Sequence, residues 1–484
     1  MKEKHFLLQR TALILIMGVF IFSYCTDIGV YKGSDFTSDV MNTTLTSPDE
    51  DEIQFTPSPD GSMVTISWPV VHGAGGYEFT LYINDDPDNP VAVGEESQIV
   101  DGCIVQRQLE DDTSYKVVVR TLGNQPYNNK EANTASSREF STMIPTYATI
   151  PSEIDLYEWF NENPIPEGME NEELAYVLEP NGNYTMSGIV DFGNQLVTFR
   201  GDKIRKPSVT MGAGGRLSTT AGLKIKFIDF DISAVDGSSS SAAFLLLSST
   251  PNEDIKGTGD YYLIEDPIVI QSCNITGIQR QLVFDNNKKY CVQTLLIDDC
   301  IINLATTQEQ PVIRFQQGFA NDFTVRNSTF WHNGSKNNNY FVQYNNSGRP
   351  DRAGLITASI NYLNSTFYNV CYNKQWGNYN GFAGQKSVYW NMKDNIFVDS
   401  GKGEVARRFL GGRRNQPTAT FNNNTYWYDG EFASGESDWD TGVILMTNPE
   451  LKDPANADFT VMGAEQLNAR TGDPRWLPII QETE

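Results

Sequence analysis

The chain is poor in histidine, cysteine and positive charge. Three histidines and six cysteines among 484 residues offer few imidazole and thiolate ligands, so we expect no transition-metal site. Lysine and arginine number 36 against 61 aspartates and glutamates, and the net charge is -25. Binding of nucleic acid requires a basic face that displaces counterions. The charge balance therefore argues against a nucleic-acid partner.

The chain also lacks an apolar run of membrane-spanning length. The run from Thr11 to Phe22 is shorter than the ~20 residues that a spanning helix needs. Three basic residues precede it, which is typical of a secretory signal peptide. We therefore predict a signal peptide at residues 1–24.

Cys25 follows the apolar run and resembles the lipid-attachment site of bacterial lipoproteins. The preceding Phe22-Ser23-Tyr24 departs from the usual small residue before that cysteine, so an ordinary signal peptide with an incidental cysteine is the alternative. We predict lipidation at Cys25, with the membrane contacted through this anchor alone. Residues 25–51 are rich in Ser, Thr and Asp and are predicted to be a flexible tether.

Eight segments between Val197 and Tyr426 align without gaps. In each, apolar residues stand five and three positions before a reference residue and two positions after it. The apolar positions therefore alternate with other residues as in a strand, and they shift from odd to even offsets just before the reference residue. At that change stands a small polar residue or glycine, which tolerates the left-handed backbone of a bend. Each segment is therefore predicted to be a bent pair of strands. The reference residues are Asp202, Phe230, Cys273, Cys300, Ser328, Ser365, Asn395 and Asn424.

The spacing of the segments predicts a solenoid. Reference residues are 27 to 43 positions apart, and a repeat of this length with strand periodicity is typical of stacked coils. The fold class is therefore all-β, with a right-handed parallel β-helix expected over residues 175–478. A leucine-rich horseshoe is excluded because its Leu and Asn framework is absent. The two longest intervals predict insertions, Ser233 to Leu263 and His332 to Leu355.

Residues 52–143 have the alternation of an antiparallel β-sandwich. Val64, Ile66 and Trp68 alternate in one strand, and Tyr115 follows Leu109 by six residues. This pattern resembles a fibronectin type III domain, in which a tyrosine hydroxyl fixes a corner and a tryptophan packs in the core. Asp111 stands where that family usually has proline. Residues 144–174 are expected to be a linker and a helix that caps the open end of the solenoid.

Two motifs near the end of the chain resemble the closing motif of uncharacterised β-helix lipoproteins of Bacteroidetes. They are Asp458-Phe459-Thr460 and Gly472-Asp473-Pro474-Arg475-Trp476. The resemblance implies a pectate-lyase-like fold and an exported lipoprotein at the outer membrane, on the cell surface. It also implies polysaccharide utilisation, with outer-membrane glycan-uptake proteins as partners. It supplies no catalytic residues.

Two enzymatic chemistries are compared with the repeat. Glycoside hydrolysis requires paired carboxylates, and the one acidic doublet in a repeat strand is Asp298-Asp299, with no histidine following in an adjacent coil. A pectate-lyase-like elimination requires acidic residues for Ca²⁺ beside an arginine or lysine base, yet no three acidic residues share a column. We therefore lean towards a protein that is not an enzyme, with no cofactor; Ca²⁺ is expected only for a lyase.

A binding role fits the outward positions better. Three positions after the reference residue stand Trp331, Tyr368, Val398 and Trp427, and exposed aromatic rings in such a row can stack on sugars. The alternative is that loops fold over these rings as a satellite core. Trp376 would extend the platform, and four arginines would bind carboxylates. These arginines are Arg407, Arg408, Arg413 and Arg414.

The leading hypothesis is a non-catalytic surface glycan-binding lipoprotein whose partner is a polysaccharide, with a uronate-containing polymer as one candidate. A polysaccharide lyase with an atypical site is the alternative function. A surface adhesin is the third hypothesis. The sequence does not identify the glycan.

Overall fold

The computed structural model describes residues 40–58, 63–344, 349–379, 381–413 and 418–479. The chain divides into two compact units, the first ending at Met143 and the second beginning at Ile144. Within the described residues, no helix is both long and apolar enough to cross a membrane.

The first unit is an antiparallel β-sandwich, as predicted. Trp68 lies in its core, 5.5 Å from the ring of Tyr77 and 5.8 Å from that of Phe79. The Tyr115 hydroxyl accepts a hydrogen bond from the backbone N–H of Glu110 at 2.6 Å, which fixes the corner before its strand. Assignment to the fibronectin type III family stays a prediction. One sheet contains strands Gln54–Pro57, Met63–Ser67 and Ile104–Gln108, and the other contains Tyr77–Ile83, Val91–Ala92, Gln98–Val100, Ser114–Thr121 and Ser136–Ser141.

The structure corrects part of the predicted tether at residues 25–51. Leu45 is buried, and its backbone N–H donates to the Lys130 carbonyl at 3.0 Å. The Ser47 hydroxyl donates to the Thr134 carbonyl at 2.7 Å. Residues 40–51 are therefore packed on the sandwich, because apolar Leu45 and these backbone bonds hold them there. The remainder of the predicted tether and the signal peptide lie outside the described residues.

The second unit is a parallel β-helix built from three sheets. Sheet 1 contains Thr146–Ile150, Leu174–Leu178, Val197–Arg200, Leu223–Lys226, Tyr262–Ile264, Ile268–Gln271, Tyr290–Asp298, Phe319–Arg326, Ala358–Leu363, Val388–Lys393 and Thr418–Asn422. Sheet 2 contains Ile154–Asp155, Asn183–Met186, Ser208–Met211, Asp229–Asp231, Asn274–Ile278, Ile301–Leu304, Thr329–His332, Thr366–Tyr368, Ile396–Val398, Asn424–Tyr428, Glu431–Phe432 and Ile444–Leu445. Sheet 3 contains Ile189–Asp191, Arg216–Thr219, Ala243–Leu247, Gln281–Phe284, Ile313–Phe315, Val342–Tyr344 and Gly377–Asn378.

The predicted columns are confirmed from Cys273 onwards. Ile275, Ile302, Phe330, Phe367, Phe397 and Tyr426 pair in sequence across adjacent strands of sheet 2. The last four stack ring on ring inside the helix, with centroids 4.9 to 5.7 Å apart. Six predicted bend residues have a left-handed backbone: Ser272, Asp299, Asn327, Asn364, Asp394 and Asn423.

The alignment of the second coil was wrong, and that of the first coil was wrong only at Ile204. Val197 pairs with Leu223 and not with Ile225, so the second coil is displaced by two residues. The bend of that coil is at Phe227. In the first coil, a loop separates sheet 1 from sheet 2, and Val209 takes the inward place that was predicted for Ile204. Ile204 is 54% exposed.

The β-helix begins before the predicted boundary at residue 175. Strands Thr146–Ile150 and Ile154–Asp155 already belong to sheets 1 and 2, so the predicted linker contains the first coil. The capping helix is Leu156–Glu162, and its N-cap is Asp155, whose carboxylate accepts from two backbone N–H groups. Phe160 in this helix packs its ring on the aromatic side chains of the first coils.

The reference residues of the later coils form a buried hydrogen-bonded ladder. Backbone N–H groups donate from Cys300 to Ser328 Oγ at 3.0 Å, from Ser328 to Ser365 Oγ at 3.3 Å, and from Ser365 to Asn395 Oδ1 at 3.1 Å. The N–H of Asn395 donates to Asn424 Oδ1 at 3.3 Å. Each acceptor side chain binds the buried backbone N–H after the bend of the preceding coil. A buried N–H without a partner would be costly.

Candidate functional site

The predicted aromatic column lies on one outer face of sheet 2. Trp331 pairs with Tyr368, Tyr368 with Val398, and Val398 with Trp427. The three aromatic side chains are half-buried. The register predicted from the sequence is therefore confirmed at this column.

The column is covered, so the alternative of a satellite core over these rings is confirmed and the open platform is wrong. Phe459 is fully buried, with its ring 6.1 Å from that of Trp331 and 5.9 Å from that of Tyr368. Trp427 and Tyr368 pack against a cluster that includes Val461 and other apolar side chains. The cover is residues 449–477, which we call the closing segment.

The closing segment is bound to sheet 2 through a row of threonines. Asp473 accepts from the Thr329 hydroxyl at 2.7 Å, and its backbone N–H donates to Thr366 Oγ1 at 3.0 Å. Trp476 Nε1 donates to Thr329 Oγ1 at 2.8 Å. Gln466 Nε2 donates to Thr425 Oγ1 at 3.1 Å. The motifs singled out in the sequence therefore hold the cover in place.

Trp376 lies in the core, which contradicts its place in the platform. The side chain is 0% exposed, and its ring stacks on Phe341 at 4.8 Å and meets Phe367 edge-on at 5.1 Å. The Gly- and Asn-rich stretch around it suggested an exposed loop, but the strand Gly377–Asn378 continues sheet 3. Trp376 therefore stabilises the fold and offers no face to a sugar.

Two of the predicted arginines share one carboxylate. Arg407 and Arg408 lie in the short helix Val405–Phe409, with nitrogen atoms 2.6 and 3.7 Å from the Glu404 carboxylate. The Arg407 guanidinium also lies 5.9 Å from the ring of Trp439. Their role in binding carboxylates stays a prediction, as does that of Arg413. Arg414 and Cys25 lie outside the described residues.

A different face carries arginines that form no ion pair with a carboxylate of the described residues. One side chain per coil points outward from sheet 3, because the alternate residues of the same strands pack in the core. The first member of this column, Asp191, is acidic, and the later members are not. We call this column the arginine face, and its members are Asp191, Ser218, Leu246, Phe284, Arg314, Gln343 and Asn378.

Arg314 is held flat on the arginine face. Its guanidinium lies over the Phe284 ring at 5.2 Å. In the amide orientation that satisfies both ends of Gln281, the amide oxygen accepts from Arg314 Nη1 at 3.1 Å and the nitrogen donates to the Ala242 carbonyl at 3.2 Å. Phe284 is only 4% exposed. The guanidinium is therefore fixed in position by a ring and by an amide.

Two further arginines flank this face and bind the first predicted insertion. Arg280 Nη1 donates to the Gly237 carbonyl at 3.1 Å and to the Ser238 carbonyl at 3.4 Å. Arg216 Nε donates to the Ser241 carbonyl at 3.0 Å. These bonds pin the insertion beside sheet 3, so Arg216 and Arg280 have a structural role in addition to their charge.

Burial perturbs all three guanidinium groups. The pKa of Arg216, of Arg280 and of Arg314 is lowered, and in each case burial is the largest cause. The positive charge of Arg280 lowers the pKa of Arg314 further, whereas Asp285 opposes this effect. The two arginines are therefore close enough for their like charges to interact.

An open groove with an acidic lining lies elsewhere on the β-helix. It has a volume of about 700 Å³ and is lined by Glu170, Asp254, Glu265, Asp266 and Lys256, among others. In the part of the chain that the structure describes, no group of three or more His, Cys, Asp or Glu side chains is placed to hold a metal ion. We assign no ligand to this groove.

Comparison with known families gives domains without a stated function. Residues 1–181, 182–333 and 360–476 match three families, DUF4992, DUF4957 and DUF5123, each described as a domain of unknown function. A search of curated proteins found no match.

Two solved structures are similar at a low level. Pectate lyase PelI from Erwinia chrysanthemi is 10% identical, with 73% of this chain and 85% of that chain covered and a TM-score of 0.16. Pectate lyase Pel3 from Pectobacterium carotovorum is 10% identical, with 80% and 90% covered and a TM-score of 0.14. Likenesses at these values carry no argument about function, and the assignment of a parallel β-helix rests on the strand ladders described above.

Proposed function

We propose that the chain is an exported, non-catalytic glycan-binding protein, anchored at the outer-membrane surface through a lipid on Cys25. In this proposal the arginine face binds the polysaccharide, and glycan-uptake proteins of the outer membrane receive it. The observation that supports the proposal is the column of Arg314, Gln343 and Asn378, which offers one planar polar group per coil.

The geometry of the column suits an extended polymer. Adjacent strands of a sheet are about 4.8 Å apart, so successive coils repeat polar groups along a line instead of gathering them in a pocket. Amide and guanidinium groups donate hydrogen bonds, and the amides also accept them, as sugar hydroxyls require. The aromatic column on sheet 2 is no longer the first candidate, since the closing segment covers it.

Affinity gel electrophoresis tests the proposal against a panel of soluble neutral and acidic polysaccharides. We expect at least one polymer to retard the protein, and we expect Gln343→Ala to weaken that retardation. Gln271→Ala is the matched control, because Gln271 is an equally half-buried glutamine at the end of a strand in sheet 1. Retardation by no polymer, or equal losses in the two variants, would overturn the proposal for this face.

A polysaccharide lyase is the second candidate, favoured by the two neighbouring arginines. An arginine of lowered pKa beside a bound uronate is a candidate base for the proton next to the carboxylate, and the pKa of both Arg280 and Arg314 is lowered by burial. Incubation with uronate polymers and ultraviolet detection of unsaturated products separates this function from binding alone. Product formation that is lost in Arg314→Gln would establish the lyase instead.

A further inference from the structure

We infer that the ligand of the arginine face is an acidic glycan, and that Arg314 and Arg280 bind its carboxylate or sulfate groups. This inference rests on the proposed function and names the class of polymer bound. It departs from the sequence-based hypothesis, which gave this role to arginines near the helix Val405–Phe409.

Charge pairing elsewhere in the β-helix sets the arginine face apart. Arg326 pairs with Asp298 at 2.8 Å, Arg475 pairs with Asp299, and Lys224 pairs with Glu173 at 2.7 Å. Acidic side chains are abundant in a chain of charge -25, so such pairs are easily formed.

Arg280 and Arg314 differ from these paired residues. Neither forms an ion pair with a carboxylate of the described residues, and the Nε of each is buried without a hydrogen-bond partner there. A half-buried cation without an ion-pair partner is unfavourable even where a carboxylate such as Asp285 acts on Arg314 from beyond ion-pair distance, and a bound anion would relieve this cost.

The placement of the two groups side by side strengthens the argument. Arg280 directly precedes Gln281, whose amide oxygen accepts from Arg314, and the charge of Arg280 lowers the pKa of Arg314. Like charges held close together repel each other. An oxyanion bound between them would replace this repulsion by two attractions. Carboxylates and sulfates both match the planar fork of a guanidinium, which binds them with two parallel hydrogen bonds.

A purely structural role accounts for Arg280 better than for Arg314. Arg280 anchors the carbonyls of Gly237 and Ser238, as described above, so its position follows from the insertion it holds. Arg314 binds no loop carbonyl within the described residues; it contacts Phe284 and Gln281. Arg314 is therefore the residue on which the inference depends.

The contacts of Arg314 also prepare it for binding. A free arginine side chain loses substantial rotamer freedom when it binds a ligand, whereas a guanidinium already fixed on a ring loses little. The Phe284 ring and the Gln281 amide supply that fixation before any ligand arrives. Neither contact neutralises the charge.

The test compares Arg314→Gln, Arg314→Lys and the control Arg326→Gln in affinity gels. The polymers are polygalacturonate, its methyl-esterified form, a sulfated galactan and a neutral glucan. Arg326 is a suitable control because it is an ion-paired arginine on sheet 1, with its side chain 46% exposed. Thermal unfolding of each variant verifies that the fold is retained, and Arg314→Lys keeps the charge if the glutamine variant unfolds.

We expect polygalacturonate or the sulfated galactan to retard the protein in the gel. The methyl-esterified and neutral polymers should retard it less. Loss of a charge-assisted bond in Arg314→Gln should weaken binding about tenfold. Arg314→Lys should retain part of the affinity, and Arg326→Gln should leave it nearly unchanged. Binding should also weaken with added salt, and less steeply in Arg314→Gln. Retention by only one of the two acidic polymers would identify the anion as carboxylate or sulfate.

Three outcomes separate this inference from the proposed function. Equal retention by neutral and acidic polymers would overturn the inference and leave glycan binding intact. Binding of acidic polymers that Arg314→Gln does not change would place the anion elsewhere and also overturn it. Failure of every polymer to retard the protein would overturn the proposed function itself.

Discussion

Replacing Phe459 by alanine should release the closing segment from sheet 2. The Phe459 side chain is fully buried, and its ring contacts those of Trp331, Tyr368 and Trp476. Removal of a buried phenylalanine side chain costs about 3–5 kcal/mol. For comparison, each side-chain hydrogen bond between the segment and the threonine row contributes about 1 kcal/mol. The ring therefore stabilises the closed state about as much as those bonds together.

Native-state hydrogen exchange measures this effect at the segment itself. The N–H of Gly472 donates to the Asp394 carbonyl at 2.8 Å, and that of Asp473 donates to Thr366 Oγ1. Both amides are protected only while the segment is bound. A loss of 3–5 kcal/mol corresponds to roughly a hundredfold or greater fall in their protection.

The control for this experiment is Tyr389→Ala. Tyr389 is an aromatic residue of sheet 1 that is 45% exposed, so its removal should change protection of the segment little. A fall of less than about threefold in Phe459→Ala would refute the view that the ring holds the cover. Stronger retention of a glycan by Phe459→Ala than by the unchanged protein would instead mean that the covered aromatic column can bind sugars.

Two further predictions concern stability. Burial raises the pKa of Glu436 to about 8, although the N–H groups of Val405 and Ala406 donate to its carboxylate. The folded state therefore keeps a proton that the unfolded state releases above about pH 4.5. The free energy of unfolding should fall as the pH rises from about 4.5 to about 8. Burial lowers the pKa of His332 to about 4, so this residue makes the free energy of unfolding rise with pH up to about pH 6.5. Denaturant titrations between pH 6.5 and 8 should therefore isolate the fall that Glu436 causes. Glu436→Gln should flatten it, and an unchanged slope would contradict the assignment. Trp376→Ala should lower the free energy of unfolding by about 3–5 kcal/mol, while the protein that remains folded should bind glycan as before. Loss of glycan binding at unchanged stability would contradict the assignment of Trp376 to the core.

The inward columns could be predicted because every coil repeats the same packing problem. One residue in two points into a shared core, so the apolar pattern along the chain records the coil directly. The same periodicity does not fix a shift of two residues. Leu223, Ile225 and Phe227 are all apolar, so two registers satisfied the alternation equally well, and only pairing with Val197 distinguishes them.

The arginine face has no repeating pattern in the sequence like that of the inward columns. Its members follow one another at intervals of 27 to 38 residues, because turns and insertions of different length join the sheets. Arg314 therefore aligned with no repeat position, and Arg280 stood outside the strands that were aligned. An unpaired charge is also a property of three-dimensional neighbours, since acidic residues are frequent throughout the sequence.

The cover over the aromatic column could not be predicted from the sequence either. Thr329 and Asp473 are 144 residues apart, and no local pattern links them. The outward position of Trp331 followed from the register, whereas its exposure depended on a segment that returns from a distant part of the chain. Register can be predicted from repeats, but exposure requires knowledge of everything that packs on top of them.

The closing segment also changes how the solenoid can evolve. Most repeat proteins gain or lose units freely because each coil contacts only its neighbours. Here one segment is bonded to coils at Thr329, Thr366 and Thr425, so removing a single coil between them would displace its bonding partners by about 4.8 Å. We expect the number of coils beneath the segment to be fixed, with changes in length confined to the coils before Thr329.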